Sequence, residues 1–96
     1  MNKDLTLCEI REEIDRVDDK LLRLLAVRIR LAKAAGKVKE GRHQTLFCPD
    51  REKAILARLK DKFKDDVLFE DIEPIFASIF CVCLAVQNQE VFNKAP

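Results

Sequence analysis

The sequence has 96 residues, of which 48% are hydrophobic and 36% charged, with 18 basic and 17 acidic side chains. This balance is typical of a globular rather than a disordered chain, and a net charge of +1 argues against the strongly basic surface of nucleic-acid-binding proteins. A chain of this length buries only about 60 to 65% of its unfolded surface, so a monomeric core would be thin.

The sequence contains no evident targeting or membrane segment. The opening stretch MNKDLTLCEI lacks the apolar core of a signal peptide, and no later run approaches the ~18 apolar residues of a membrane span. We therefore expect a cytoplasmic protein without a membrane partner. Four cysteines suit that reducing compartment, and we interpret Cys8 and Cys81 as structural. With one histidine and a C-x-C spacing whose side chains diverge around a helix, we expect no metal site.

Three segments repeat their apolar residues with a helical period. Two glycines, three prolines and the absence of strand-like runs also favour an all-α fold. The first helix is predicted from about Leu5 to Glu40, the second from Pro49 to about Phe63, and the third from about Asp71 to Phe92. Residues 1–96 are expected to form a single three-helix domain.

The first helix carries two rows of side chains at heptad spacing. Nine of the ten positions are apolar; the rows are Leu7, Ile14, Leu21, Arg28, Ala35 and Ile10, Val17, Leu24, Leu31, Val38. A helix of ~36 residues is ~54 Å long, whereas a compact chain of this length has a radius of gyration of ~12 Å. The helix must extend beyond its own domain. We predict an intertwined homodimer, because a second copy is the simplest cover for the exposed rows.

Arg28 is the exception in these rows, and two explanations compete. It can be structural, with its guanidinium reaching the edge of an interface or pairing with an acid across it. It can also bind an anion together with Lys39, which lies eleven residues on. The two positions share a helix face and are about 16 Å apart along the axis, a gap that two long side chains can close on one small anion.

Arg11 lies too far from Arg28 to share a ligand within one chain, because seventeen residues span roughly 25 Å of helix. In an antiparallel dimer centred near Lys20, however, Arg11 of one copy comes level with Arg28 of the other. Two symmetric pockets would result, each built from both chains.

The second helix begins favourably at Pro49, which has no N–H to leave unpaired. Glu52 falls in its first turn and also on its apolar stripe, where a carboxylate needs a partner. Taken alone, Glu52 can equally be a dipole-favoured acid, and its neighbour Arg51 a solvated cation.

The third helix accommodates Pro74 only if Asp71 caps it, so that the proline lies within the first turn. Its apolar stripe ends at Gln87, one turn beyond Cys83 on the same face. Gln87 can therefore offer an amide N–H inward, and an exposed Gln87 near a frayed helix end is the alternative.

The segments IREEIDRVDDKLLRLLAVRIRLAKAAGKVK and PDREKAIL, followed by a third helix with a late glutamine, resemble the all-helical chorismate mutases. The resemblance covers nearly the whole chain. It implies a dimer whose long first helices pair, with two active sites that each borrow one residue from the neighbouring chain. The implied reaction converts chorismate to prephenate in the branch leading to phenylalanine and tyrosine, and this pericyclic step needs no nucleophile and no cofactor.

The resemblance implies how the matched residues would act. Arg28 and Arg11 of the partner chain, assisted by Arg51, would hold the two carboxylates of the substrate through guanidinium forks. Lys39 and Gln87 would donate to the ether oxygen, where negative charge grows as the C–O bond breaks. Catalysis would then come from binding a compact substrate conformer and from these donors.

Glu52 would accept a hydrogen bond from the ring hydroxyl while pairing with Lys39. Two positions depart from the family pattern, with Cys48 where relatives commonly carry an acid and Cys83 where a serine is common. Because a thiol is a poor hydrogen-bond partner, both changes are expected to weaken substrate contacts. For Cys83, plain filling of the core is an equal alternative.

Two other functions stay open. The related isochorismate pyruvate-lyases share the fold and the cationic pocket. They resemble this sequence pattern but have an apolar residue after the arginine, where this chain has Glu52. The other alternative is a non-catalytic helical dimer, in which the pocket has decayed through Cys48 and Cys83.

Overall fold

Three helices form the fold of this chain. The structure, a computed structural model, describes the backbone of residues 5–93 and the side chains of residues 5–89. The helices are α1 (Leu7–Gly41), α2 (Pro49–Lys62) and α3 (Phe69–Asn93). Within residues 5–93 there is no strand. The all-α, three-helix prediction is therefore confirmed.

The start of α1 is fixed by a side-chain cap. Thr6 is the N-cap residue, and its hydroxyl accepts a hydrogen bond from the backbone N–H of Glu9 at 3.1 Å. Capping of this kind satisfies one of the donors left free at a helix start. The helix consequently begins at Leu7, two residues after the predicted position.

The start of α3 differs from the prediction in a way that matters for Pro74. The backbone N–H of Asp71 donates to the carbonyl of Leu68 at 3.0 Å, and the helix begins at Phe69. The prediction that Asp71 caps this helix is therefore wrong, because Asp71 lies inside the first turn, where its carboxylate still complements the helix dipole. Pro74 lies inside the helix rather than in its first turn. Its missing N–H would have paired with the carbonyl of Glu70, so the loss is confined to the start of α3.

The core of a single chain is thin. α3 packs against both α1 and α2. Few residues are buried, and among those described they are Gly36, Ile55, Phe80, Cys83 and Gln87. No described side chain is fully enclosed, which agrees with the small surface that a chain of this length can bury.

The first helix extends well beyond the rest of the chain. The overall dimensions are 59 × 29 × 16 Å with a radius of gyration of 17.4 Å, compared with about 12 Å for a compact chain of this length. The leucine, isoleucine and valine side chains of its two rows are between 41% exposed at Ile10 and 68% exposed at Leu24. A continuous apolar surface of this kind is typical of an interaction site. Within the described part of the chain, none of the helices carries the long uncharged apolar run that a membrane span requires.

Candidate active site

One cleft brings together most of the residues predicted from the sequence. Its volume is about 320 Å³, and it lies between α1, α3 and the start of α2. Seven of the eight predicted side chains line it, namely Arg28, Lys39, Cys48, Arg51, Glu52, Cys83 and Gln87. Apolar residues complete the wall and include Leu31, Ala35, Leu46, Phe47, Ile55, Phe80 and Leu84. The cleft therefore presents three cations and one carboxylate on an otherwise apolar surface.

Arg28 is held in this cleft by two contacts to α3. Its Nη1 donates to Sγ of Cys83 at 3.1 Å. Its guanidinium carbon also lies 5.6 Å from the centroid of the Phe80 ring, within the range of a cation–π interaction. Both partners are fixed by packing, because Phe80 is 8% exposed and Cys83 is 7% exposed. Cys83 is thus both a buried residue and a hydrogen-bond acceptor for Arg28.

Lys39 ties the end of α1 to the segment that leads into α2. Its Nζ donates to the carbonyl of Leu46 at 2.9 Å. Because an ammonium group has three N–H donors, two remain for a ligand. The pair between Lys39 and Glu52 that the family resemblance implies is not formed, and within the described residues the Glu52 carboxylate has neither an ion-pair nor a hydrogen-bond partner. Glu52 therefore lines the cleft with free acceptor oxygens.

Gln87 is buried, with 7% of its surface exposed. The alternative of an exposed glutamine at a frayed helix end is therefore wrong. Its Nε2 donates to the carbonyl of Ala32 at 2.8 Å. The amide nitrogen carries two N–H groups, so this bond leaves one of them for a ligand in the cleft.

The segment between α1 and α2 forms one rim of the cleft. It turns at His43, whose φ of 57° lies in the left-handed region that few residues other than glycine adopt. Cys48 precedes α2, lines the cleft and directs its thiol to the carbonyl of Thr45 at 3.5 Å. Its side chain makes no capping bond to α2. The thiol of Cys48 is thus engaged with its own loop.

Arg11 is the predicted site residue that does not line this cleft. It is exposed on the extended part of α1. The rise of an α-helix places it roughly 25 Å along the axis from Arg28. Within one chain the two arginines cannot contact the same small ligand.

Two aromatic lining residues were not predicted from the sequence. Phe80 lies on α3 one turn before Cys83 and two turns before Gln87, so helical periodicity alone could have placed it on the same face. Phe47 lies in the connecting segment, where no periodic pattern indicates its position. Among the described side chains, no cluster of histidine, cysteine and acidic residues is arranged to hold a metal ion.

Comparison with known proteins identifies the family of this chain. A family model described as chorismate mutase type II matches residues 10–88. A chorismate mutase of Methanocaldococcus jannaschii is 38% identical over 66 residues, which cover 69% of this chain and 67% of that protein.

Longer relatives match as well. The bifunctional chorismate mutase/prephenate dehydratase of Aquifex aeolicus is 32% identical over 87 residues, and that of Neisseria gonorrhoeae is 34% identical over 85 residues. These matches cover 86% and 88% of this chain but only 24% and 23% of the bifunctional proteins, so the chain spans about a quarter of their length. Because the family model covers most of the sequence and seven of the eight predicted side chains share one cleft, the chain belongs to the chorismate mutase type II family.

Proposed function

We propose that this chain catalyses the rearrangement of chorismate to prephenate. The observation that carries the proposal is the single cleft shared by Arg28, Lys39, Arg51, Glu52 and Gln87. Chorismate has two carboxylates, and a pocket with three cations around an apolar wall suits a small dianion. Membership of the chorismate mutase type II family supports the same substrate.

In this proposal, Arg28 and Arg51 bind the carboxylates of the substrate. The guanidinium of Arg28 has five N–H donors, and one of its nitrogens is already oriented by Cys83. The remaining N–H groups can donate to a carboxylate in the cleft. Such preorganisation lowers the entropy lost on binding and favours the compact substrate conformer from which reaction occurs.

Lys39 and Gln87 act on the ether oxygen. In the pericyclic step the C–O bond breaks as a new C–C bond forms, and negative charge grows on the oxygen. Lys39 on α1 and Gln87 on α3 both line the cleft, and each keeps at least one N–H beyond its bond to a backbone carbonyl. Donors that are fixed before the reaction stabilise such charge without reorganisation. The unpaired carboxylate of Glu52 accepts a hydrogen bond from the hydroxyl group of the substrate ring.

The functional unit is a homodimer in which the α1 helices of two chains pair antiparallel. The exposed apolar rows of α1 and the thin core of one chain support this arrangement. Arg11 lies on the exposed part of α1, and in such a dimer it approaches the cleft of the partner chain as a third arginine. A cytoplasmic location remains the prediction made from the sequence.

The loss of chorismate absorbance, with chemical identification of prephenate, tests the proposed activity. Replacing Lys39 by Ala removes a charged donor at the ether oxygen and should lower kcat by about 10²- to 10³-fold, or ~3 to 4 kcal/mol. The matched control is Lys37→Ala, because Lys37 is exposed on the same helix and does not line the cleft. The midpoint temperature of thermal unfolding of both variants should stay close to that of the unmodified chain.

Assays with chorismate and with isochorismate separate the alternative functions. Release of pyruvate from isochorismate without prephenate from chorismate would assign a lyase instead. A folded dimer that turns over neither compound would indicate a non-catalytic member of the fold. Full activity in Lys39→Ala would refute the role assigned to this ammonium group.

A further inference from the structure

We infer that Gly36 is a positioning residue for Gln87, because the absence of a side chain at position 36 sets where the Gln87 amide lies in the cleft. The inference rests on the proposed function of Gln87 as a donor to the ether oxygen. It concerns a residue that contacts neither the substrate nor the reacting atoms.

The side chain of Gln87 packs directly on the backbone of α1 at Gly36. Gly36 is buried in the helix. A Cβ added there would lie 2.9 Å from Cγ of Gln87 and 3.1 Å from its Cβ. These separations are far below the usual contact distance of about 3.5 to 4.0 Å between carbon atoms, so Gln87 would have to move.

A glycine at this position needs a packing reason, because glycine is the least favourable residue after proline inside a helix. The hydrogen bond of Gln87 supplies that reason. Its Nε2 reaches the carbonyl of Ala32, one turn before Gly36, at 2.8 Å. The side chain can run this close to the helix axis only where no Cβ stands in its path.

Two contacts therefore define the position of the amide. Contact with the backbone of Gly36 sets how closely the Gln87 side chain approaches α1. The carbonyl of Ala32 accepts a hydrogen bond from one of the two amide N–H groups of Gln87. The second N–H is then the donor left for the ether oxygen. A methyl group at position 36 pushes Cγ of Gln87 outward, which lengthens the bond to Ala32 and turns the second N–H away from its target.

The second N–H of Gln87 is expected to affect kcat more than KM, because it acts mainly in the transition state. A hydrogen bond that strengthens only as charge develops contributes to the transition state and little to substrate binding. Displacing it should therefore lower kcat and leave KM nearly unchanged. Damage to the whole cleft would instead raise KM, since Arg28 and Lys39 belong to the same helix as Gly36.

The test compares Gly36→Ala with Gly41→Ala. Gly41 is the matched control, because it is the last residue of the same helix and a Cβ there meets nothing within 4 Å. We expect Gly41→Ala to behave like the unmodified chain. In Gly36→Ala, kcat should fall about 10- to 100-fold with KM within about threefold, a smaller loss than complete removal of a preorganised donor.

A double variant tells positioning from general structural damage. In a Gln87→Ala background there is no amide to position, so adding Gly36→Ala should change kcat by less than about twofold. A purely structural role predicts that the two losses multiply, and that result would overturn the inference. Gly36→Ala with the kcat of Gly41→Ala would overturn it as well.

Folding failures are informative in the same design. If Gly36→Ala does not fold but Gly36→Ala with Gln87→Ala does, the clash between the two side chains is established and the inference stands. If neither folds, the clash is with something other than Gln87 and the inference fails. An inactive unmodified chain would overturn the proposed function itself, whereas an active chain with an unaffected Gly36→Ala overturns only this inference.

Discussion

At the scale of single residues, the position of Arg28 on an apolar row of α1 is explained by its neighbours on α3. Its guanidinium donates to Cys83 at 3.1 Å and lies over Phe80. A sulfur acceptor and an aromatic face are both weak partners, so neither competes strongly with a carboxylate for the remaining N–H groups. The arginine is thus oriented by its surroundings without being neutralised by them.

Cys83 allows a direct test of this orientation. In Cys83→Ala, the part-buried guanidinium of Arg28 loses the acceptor that orients it, and a hydrogen bond of this kind contributes about 0.5 to 1.5 kcal/mol. We expect KM for chorismate to rise about 2- to 10-fold, within that range, while kcat changes less. In Cys83→Ser, an oxygen acceptor replaces the sulfur and still orients Arg28, so KM should stay close to that of the unmodified chain.

Steady-state kinetics on both variants give the comparison. Cys8→Ala is the control, because Cys8 is exposed near the start of α1 and does not line the cleft. An unchanged KM in Cys83→Ala would mean that Cys83 only fills the core.

At the scale of helices, α1 carries apolar rows that packing within a single chain does not explain. Arg28, Ala32 and Gly36, which contact α3, lie in the C-terminal half of α1. Before that point its apolar rows face solvent, with Leu7 61%, Ile14 51% and Leu21 59% exposed. Helices in proteins are stabilised mainly by packing of an apolar face. The first half of α1 therefore carries an apolar face that the described residues of its own chain do not cover.

An acid placed on one row tests whether a second chain covers this apolar face. Leu24 is 68% exposed in the single chain, so Leu24→Glu would be harmless in a monomer. In a dimer the same carboxylate would be buried between apolar side chains, at a cost of several kcal/mol. We expect Leu24→Glu to abolish dimers, with the mass by light scattering falling to the 11.1 kDa of one chain.

The matched control is Ala26→Glu, which adds the same charge to an exposed position away from both rows. It should retain the mass of two chains. Equal masses for the two variants would refute pairing through the rows.

Helix boundaries show where local sequence is ambiguous. Periodicity predicted each of the three helices, because an amphipathic pattern reflects the face that is buried. The cap of α3 was predicted wrongly, since aspartate is favoured both at the N-cap and in the first turn. At the start of α1, by contrast, Thr6 has a clear capping role that the apolar pattern did not reveal.

At the scale of the whole molecule, the cleft is assembled from α1, α3, the start of α2 and the segment between α1 and α2, and Arg11 lies outside it. In the proposed dimer, Arg28 and Lys39 come from one chain and Arg11 comes from the other. Mixing variant chains can therefore distinguish residues that act in their own chain's cleft from a residue that acts in the partner's cleft.

Arg11→Ala and Arg28→Ala chains should each be nearly inactive alone, because every site lacks one guanidinium. After the two are unfolded together and refolded, half of the dimers are mixed, and each mixed dimer has one intact site and one site with both defects. Activity per chain should then recover to about a quarter of the unmodified value.

Mixing Arg28→Ala with Lys39→Ala is the control. Both residues belong to the same chain's cleft, so every mixed site keeps a defect and no recovery is expected. If mass spectrometry detects mixed dimers of Arg11→Ala and Arg28→Ala but activity stays low, Arg11 does not serve the partner's site.

The sequence by itself determined the number and type of the helices, the length of α1 and the misfit of Arg28, because these features are periodic along the chain and need only local information. The family resemblance could also be read from it, since the matching segments are contiguous. Only the tertiary structure decided that Gln87 is buried against Gly36, that Cys83 contacts Arg28 and that Lys39 bonds Leu46 rather than Glu52. The contacts of Gln87 with Ala32 and of Cys83 with Arg28 each join residues 55 positions apart. Their distances depend on how closely α1 and α3 approach, which no pattern within either helix specifies.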